Sequence, residues 1–160
     1  MNNELQVLLA KMITYFEGDV KRINHALKVY SFARNIAILE HLDDKMVEIV
    51  EAAAILHDIG IKVSEQKYNS SSGKYQELEG PAIASILLEG WSEEFAQRVC
   101  YLIGHHHTYS AIDNIDFQIL VEADFIVNIF EDNYNTEQIK TVKEKYFKTK
   151  AGINYLNSMY

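Results

Sequence analysis

The apolar side chains of this sequence recur at intervals of three and four along nearly its whole length, the spacing of one face of an α-helix. No other feature restricts the fold as much. With one proline and seven glycines, the chain has few residues suited to turning strands. The spacing predicts helices over residues 4–17, 20–40, 44–58, 81–90, 93–106, 115–131 and 136–149, about six to seven in all. Asp19, Asp43, Ser92 and Thr136 stand where side-chain oxygens cap helix N-termini. Pro81 suits a first helical turn after Gly80, while Gly60, Gly90 and Gly104 fall near helix ends. Two segments read as non-helical. One is the long polar loop "KVSEQKYNSSSGKYQELEG" at 62–80; the other is "HTYSAIDN" at 107–114, and both could border one cleft. No period of 20–50 residues and no internal linker divides the 160 residues, so the expectation is one all-α globular domain over 1–160.

Charge limits the partners. Fifteen basic residues against 23 acidic ones give −8, which disfavours a nucleic acid polymer because such binding depends on Lys and Arg contacts to phosphate. A small phosphorylated ligand remains compatible if a cation reverses the sign inside a pocket. No run of about 18 apolar residues is present, so no membrane partner is expected. "MNNELQVLLAKMITYFEG" has an early Glu4 and no basic start, a poor signal peptide. A lone cysteine, Cys100, excludes an intrachain disulfide and reads as a small buried apolar residue. The location expected from these features is cytoplasmic, and the oligomeric state is open.

Against that apolar pattern, three ionisable residues fall on core-facing stripes. His25 shares its stripe with Val29, Phe32, Ile36 and Leu39, and His57 follows Met46, Val50 and Ala53. Asp124 lies among Phe117, Leu120, Val121 and Val127. A neutral histidine is tolerated in a core, so His25 alone reads more readily as a satisfied core residue than as a ligand. Asp124 is different: a buried carboxylate costs several kcal/mol unless paired, and "LVEADFIVN" offers no cation within one turn. A divalent metal held by imidazole nitrogen and carboxylate oxygen would satisfy these residues together, with Asp58 beside His57 at a helix end.

In this order His25, the adjacent His57–Asp58 and Asp124 resemble the H…HD…D signature of the HD superfamily of metal-dependent phosphohydrolases. The resemblance runs from about residue 20 to residue 130, through "AAAILHDIG", "ELEGPAIAS", "IGHHHTY" and "VEADFIVN", with 136–160 as a C-terminal helical extension. It implies a helical fold and one divalent ion bound by His25, His57, Asp58 and Asp124. Binuclear relatives add a histidine before a Gly-Pro step and one or two after the next helix. Here Glu79 precedes Gly80-Pro81, and helical spacing favours His106 over its neighbours as an inward ligand. His105 and His107 could instead reach substrate phosphate, or the cluster could be solvated. Many relatives read H-D-x-x-K; this chain has Ile61 there and Lys62 one residue later, either a phosphate contact or an exposed loop lysine.

No covalent nucleophile is indicated. Ser85 and Cys100 lack a histidine at helical contact distance, and neither a GxxxxGK[ST] nor a GxGxxG motif occurs. The chemistry would come from one or two divalent ions (Mn, Fe, Ni, Co, Zn or Mg), which lower the pKa of bound water from about 15.7 toward about 7 and so supply a metal-bound hydroxide. Asp58 is placed to bridge two ions or to take a proton. The reading is a phosphohydrolase of a small phosphate ester or anhydride, a nucleotide by expectation. The alternative is a non-catalytic metal or nucleotide sensor that retains the site.

Overall fold

The computed structural model describes residues 3–160, and among these it forms nine α-helices, one 3-10 turn and no strand. The helices are α1 (Asn3–Tyr15), α2 (Val20–Leu39), α3 (Asp44–Leu56), α4 (Ile61–Tyr68), α5 (Gly73–Leu87), α6 (Glu93–Ile103), α7 (Ile115–Glu131), α8 (Thr136–Tyr146) and α9 (Lys150–Met159). The 3-10 turn is Tyr109–Ala111.

At the centre lie α2, α3 and α7. Every residue of α7 from Asp116 to Val127 is buried, as expected of a helix that is apolar nearly all round. In α3, Ala52, Ala53 and Ala54 are fully buried, and these small side chains let the helix approach α1, α2, α6 and α7 at once. Burying each larger neighbour, such as Ile55 or Leu56, contributes about 1.5–3 kcal/mol. Two buried carboxylates of α7 are matched. Asp116 accepts from Arg98 at 2.8 and 2.6 Å. Glu122 accepts from Gln118 Nε2, from the Lys148 and Thr149 amides and from the Thr149 hydroxyl, which ties α9 to α7.

Side-chain caps form at Asp19, Asp43 and Ser92. Elsewhere the structure corrects the sequence reading. Residues 62–80 are not a loop: α4 and the first half of α5 occupy them, leaving only 69–72 as a connection. Their buried face consists of Ser64, Gln76 and Gly80, polar or small residues that leave no apolar stripe to read. Asn69, with φ 50°, ends α4 in a left-handed cap. Pro81 sits inside α5 instead of in its first turn, and its ring meets Gly104, whose added Cβ would lie 3.1 Å from Pro81 Cγ. Asn135, not Thr136, caps α8, in a capping box with Gln138. The predicted helix 136–149 stops at Tyr146, and Thr149 caps a separate α9, so the helices exceed the expected six to seven.

One close backbone approach matters for the site. An added Cβ at Gly60 would lie 2.6 Å from the Gln76 carbonyl oxygen and 2.7 Å from the Gly80 nitrogen. Glycine there lets the turn after α3 rest directly on α5.

Candidate metal centre

Four parts of the fold meet at one end of the α2–α3–α7 core. α2 supplies His25, and α3 ends at Leu56, so that His57 is its C-cap and Asp58 enters the following turn. α7 supplies Asp124 from its buried face. Beyond the Gly104 cap of α6, the turn supplies His106 and His107. Two groups of ligand-type side chains result: His25, His57 and Asp124 in one, and Asp58, His106 and His107 in the other.

The ring orientations are fixed from behind. His57 Nδ1 donates to the Ala54 carbonyl at 2.8 Å, and His106 Nδ1 donates to the Ile103 carbonyl at 2.8 Å. His25 Nδ1 lies 2.6 Å from Glu131 Oε1. His57 and His106, donating to carbonyls, therefore each turn an unprotonated Nε2 inward when neutral, and the Nε2 of His25 also points inward. His25 Nε2 lies 3.0 Å from His57 Nε2, 3.2 Å from Asp124 Oδ1 and 3.3 Å from Asp58 Oδ2. His57 Nε2 lies 3.4 Å from Asp58 Oδ2 and 3.5 Å from Asp124 Oδ1. The other Asp58 oxygen, Oδ1, lies 3.4 Å from His106 Nε2. His106 Nε2 is buried and has no hydrogen-bond partner.

These residues fit a divalent ion. Ligand atoms about 2.1 Å from one ion stand about 3.0–3.4 Å from each other, close to the separations found around His25 and His57. The electrostatics agree. Burial opposes the charged form of His57, but Asp58 and Asp124 hold its pKa well above the ordinary value. Burial likewise opposes His25 protonation, and contact with Asp124 outweighs it, so this pKa is raised too. Burial works against ionised Asp58, yet His57 and His106 hold it well below the carboxylate range; Asp124 is held low against burial by His25 and His57. The cluster draws positive charge to its centre. His107 differs: burial first, and the neighbouring His106 second, push it down to about 4.

Beside the cluster opens a cavity of about 280 Å³. Its walls include His25, Asp58 and Asp124, with Lys21 and Arg22 from α2 and His107 from the turn after α6. Ser71 and Gln76 line it too, so the 62–80 and 107–114 segments do border one cleft.

The remaining sequence candidates lie elsewhere. Glu79 meets Lys67 Nζ at 3.2 Å and the Tyr68 hydroxyl at 2.8 Å and joins neither ligand group. Lys62 Nζ donates to the Tyr15 carbonyl at 3.2 Å, over the Tyr15 ring. His105 stacks on Tyr101 and donates from Nδ1 to the Tyr101 carbonyl at 2.7 Å. Three residues next to the cluster escaped the sequence reading. Asn128 donates to Asp124 Oδ1 at 2.9 Å, Gln76 Oε1 lies 3.4 Å from His107 Nε2, and Glu131 holds His25. Asn128 and Glu131 follow Asp124 by four and seven residues on the same helix face, a spacing that could have flagged both. Gln76 carried no such signal inside a segment read as loop.

The family model of the HD domain matches residues 22–144. A crystal structure described as a predicted HD superfamily hydrolase from an uncultured Thermotogales bacterium matches with a TM-score of 0.70 and 24% identity. The match covers 96% of this chain and 83% of that one, and at this identity the likeness is one of fold. Comparison with curated proteins gives no match. The model spans well over half of the chain and includes all four residues of the H…HD…D signature, and the chain belongs to the HD domain family.

Proposed function

We propose that the protein is a metal-dependent phosphohydrolase acting on a small phosphate ester or anhydride, with a nucleotide as the favoured substrate class. The observation that carries this reading is the convergence of inward Nε2 atoms and carboxylate oxygens beside an open cleft, with His106 Nε2 unpartnered among them. His25, His57, Asp58 and Asp124 would hold one divalent ion, and Asp58 with His106 and His107 a second. Bound there, such an ion lowers the pKa of water and polarises a phosphoryl oxygen.

The chain's own groups set the rest. Asp58 directs its two oxygens to different histidine sets, which suits a bridging carboxylate better than a free base. His107, pushed down to about 4 by burial and by His106, is a neutral imidazole at physiological pH, so at the cleft wall it can ligate an ion but cannot serve as a cation for phosphate. Lys21 and Arg22 on the cleft wall supply positive charge for the remaining phosphate oxygens. The Arg22 guanidinium is already held by Asp19 and Glu65, so it is oriented before substrate arrives. Lys62 and His105 would need to leave their contacts with Tyr15 and Tyr101 to reach the same phosphate.

The test is phosphate release from a panel of nucleotides and simple phosphate monoesters, with Mn²⁺, Fe²⁺ or Mg²⁺ and with chelator, alongside metal analysis of the purified protein. Ion-dependent turnover that Asp124→Ala abolishes is the expected result. Ion binding with no turnover on any compound would overturn the enzyme reading in favour of a sensor.

A further inference from the structure

His25 stands between two carboxylates of one helix. Asp124 and Glu131 lie seven residues apart on α7, two turns along the same face. Asp124 Oδ1 faces His25 Nε2 at 3.2 Å, while Glu131 Oε1 faces His25 Nδ1 at 2.6 Å. Glu131 is the last residue of α7, and a carboxylate at a helix C-terminus is opposed by the helix dipole. Its side chain is nonetheless only 14% exposed, with Lys28 Nζ 3.6 Å from its second oxygen. Helix physics alone gives no reason for an acid here; the partners on α2 do, the imidazole at 2.6 Å more closely than Lys28 at 3.6 Å.

A neutral imidazole carries one N–H. If that proton sat on Nε2, it would point at Asp124 and fill the position where a cation would lie. A carboxylate behind Nδ1 makes the other tautomer the favoured one, because only Nδ1–H can donate to it. We propose that Glu131 is a positioning residue that fixes the Nδ1–H tautomer of His25 and so keeps Nε2 free to ligate a cation. The proposal rests on the metal-binding reading above for its purpose, though the tautomer itself does not depend on it. Ligating histidines commonly have such a carboxylate or carbonyl partner, and losing it typically weakens metal binding by about 10- to 100-fold. His57 and His106 use backbone carbonyls for the same end, whereas His25 depends on a replaceable side chain.

The test compares native protein, Glu131→Ala and Glu131→Gln. The His25 tautomer is read in metal-free protein from long-range ¹⁵N–¹H correlations at a pH high enough to keep the ring neutral, and Mn²⁺ affinity is read by calorimetry. Native His25 should carry its proton on Nδ1. Glu131→Ala should move the proton to Nε2 and weaken Mn²⁺ binding about 10- to 100-fold. Glu131→Gln still offers a carbonyl oxygen, so it should keep the native tautomer and bind Mn²⁺ within a few-fold of native. A purely structural tie between α2 and α7 would lower thermal stability in the alanine variant without moving the proton, and that result overturns the proposal. So does a native His25 with Nε2 protonated. If native protein binds no Mn²⁺ while the tautomers follow the expected pattern, the metal reading fails and the hold of Glu131 on His25 stands. Should the alanine variant fail to fold, the native tautomer and the Gln variant still decide the matter.

Discussion

His25 Nε2 and His57 Nε2 face each other at 3.0 Å, and neither neutral ring has a proton left to donate across the gap. Both Nδ1 atoms are engaged behind, with Glu131 and with the Ala54 carbonyl. Two lone pairs at that distance, flanked by ionised Asp58 and Asp124, repel unless positive charge lies between them. An extra proton would serve; a divalent ion serves better, because it can take both lone pairs together with the Asp124 carboxylate.

The first prediction follows from Asp124. Asp124→Ala removes the carboxylate from both histidines and frees Asn128 from its bond. The variant should lose bound ion, and with it the rise in thermal midpoint that added Mn²⁺ gives native protein, since binding only the folded state stabilises it. Elemental analysis and thermal unfolding with and without Mn²⁺ check this. Full metal occupancy in the variant would remove Asp124 from the ligand set.

The pKa shifts of His25 and His57 set a second expectation. Both are raised in the folded, ion-free protein, against burial, by Asp124 and Asp58. Groups raised in this way contribute stability that is fully present below the unfolded value of about 6.5 and is lost as pH rises through the folded values. The matching contribution of Asp58 and Asp124, held low, is lost only in acid below the carboxylate range. A bound ion reverses the histidine trend, because protons compete with it for Nε2. The Mn²⁺-induced rise in thermal midpoint should therefore grow from about pH 5 to about pH 8, a window spanning the histidine reference value. An increment independent of pH over that window would exclude a site built on these two histidines.

Gly60 gives a third prediction, joining stability to the site. A Cβ there meets backbone atoms of Gln76 and Gly80, and backbone has less freedom to yield than a side-chain end. Gly60→Ala should destabilise the protein by about 1–3 kcal/mol, read by urea unfolding. It should also weaken ion binding, because Asp58 is two residues away in the displaced turn. A variant as stable as native would mean that α5 moves aside without penalty.

The same region shows what was readable in the sequence and what was not. α2, α3 and α7 were legible because large apolar side chains mark their buried faces, and His25, His57 and Asp124 were conspicuous as exceptions on those faces. α4 and the start of α5 were not, because Ser64, Gln76 and Gly80 line the contact and leave a polar pattern. The helix class was therefore readable while the wall of the cleft was hidden. His106 was legible from its stripe, being 2% exposed in the structure. The side of α5 that Glu79 occupies depends on where that helix begins, and reading the helix from Pro81 left Glu79 in a loop, free to face either way.

That difference leads to the final prediction, on the second ion. Glu79 is held by Lys67 and Tyr68, whereas His106 Nε2 is buried, unpartnered and 3.4 Å from Asp58 Oδ1. Glu79→Ala should keep the native ion content and lose only the exposed tie between α4 and α5, with little effect on stability because solvent screens such contacts. His106→Ala should lower the ion content by one per chain in protein saturated with Mn²⁺, with the His25–His57–Asp124 group still occupied. Metal analysis after equilibration in excess Mn²⁺ decides between them. An ion lost from the Glu79 variant would mean that the carboxylate leaves Lys67 and Tyr68 and turns toward Asp58 when metal is present. An unchanged His106 variant would limit the protein to the single ion that His25, His57, Asp58 and Asp124 can hold.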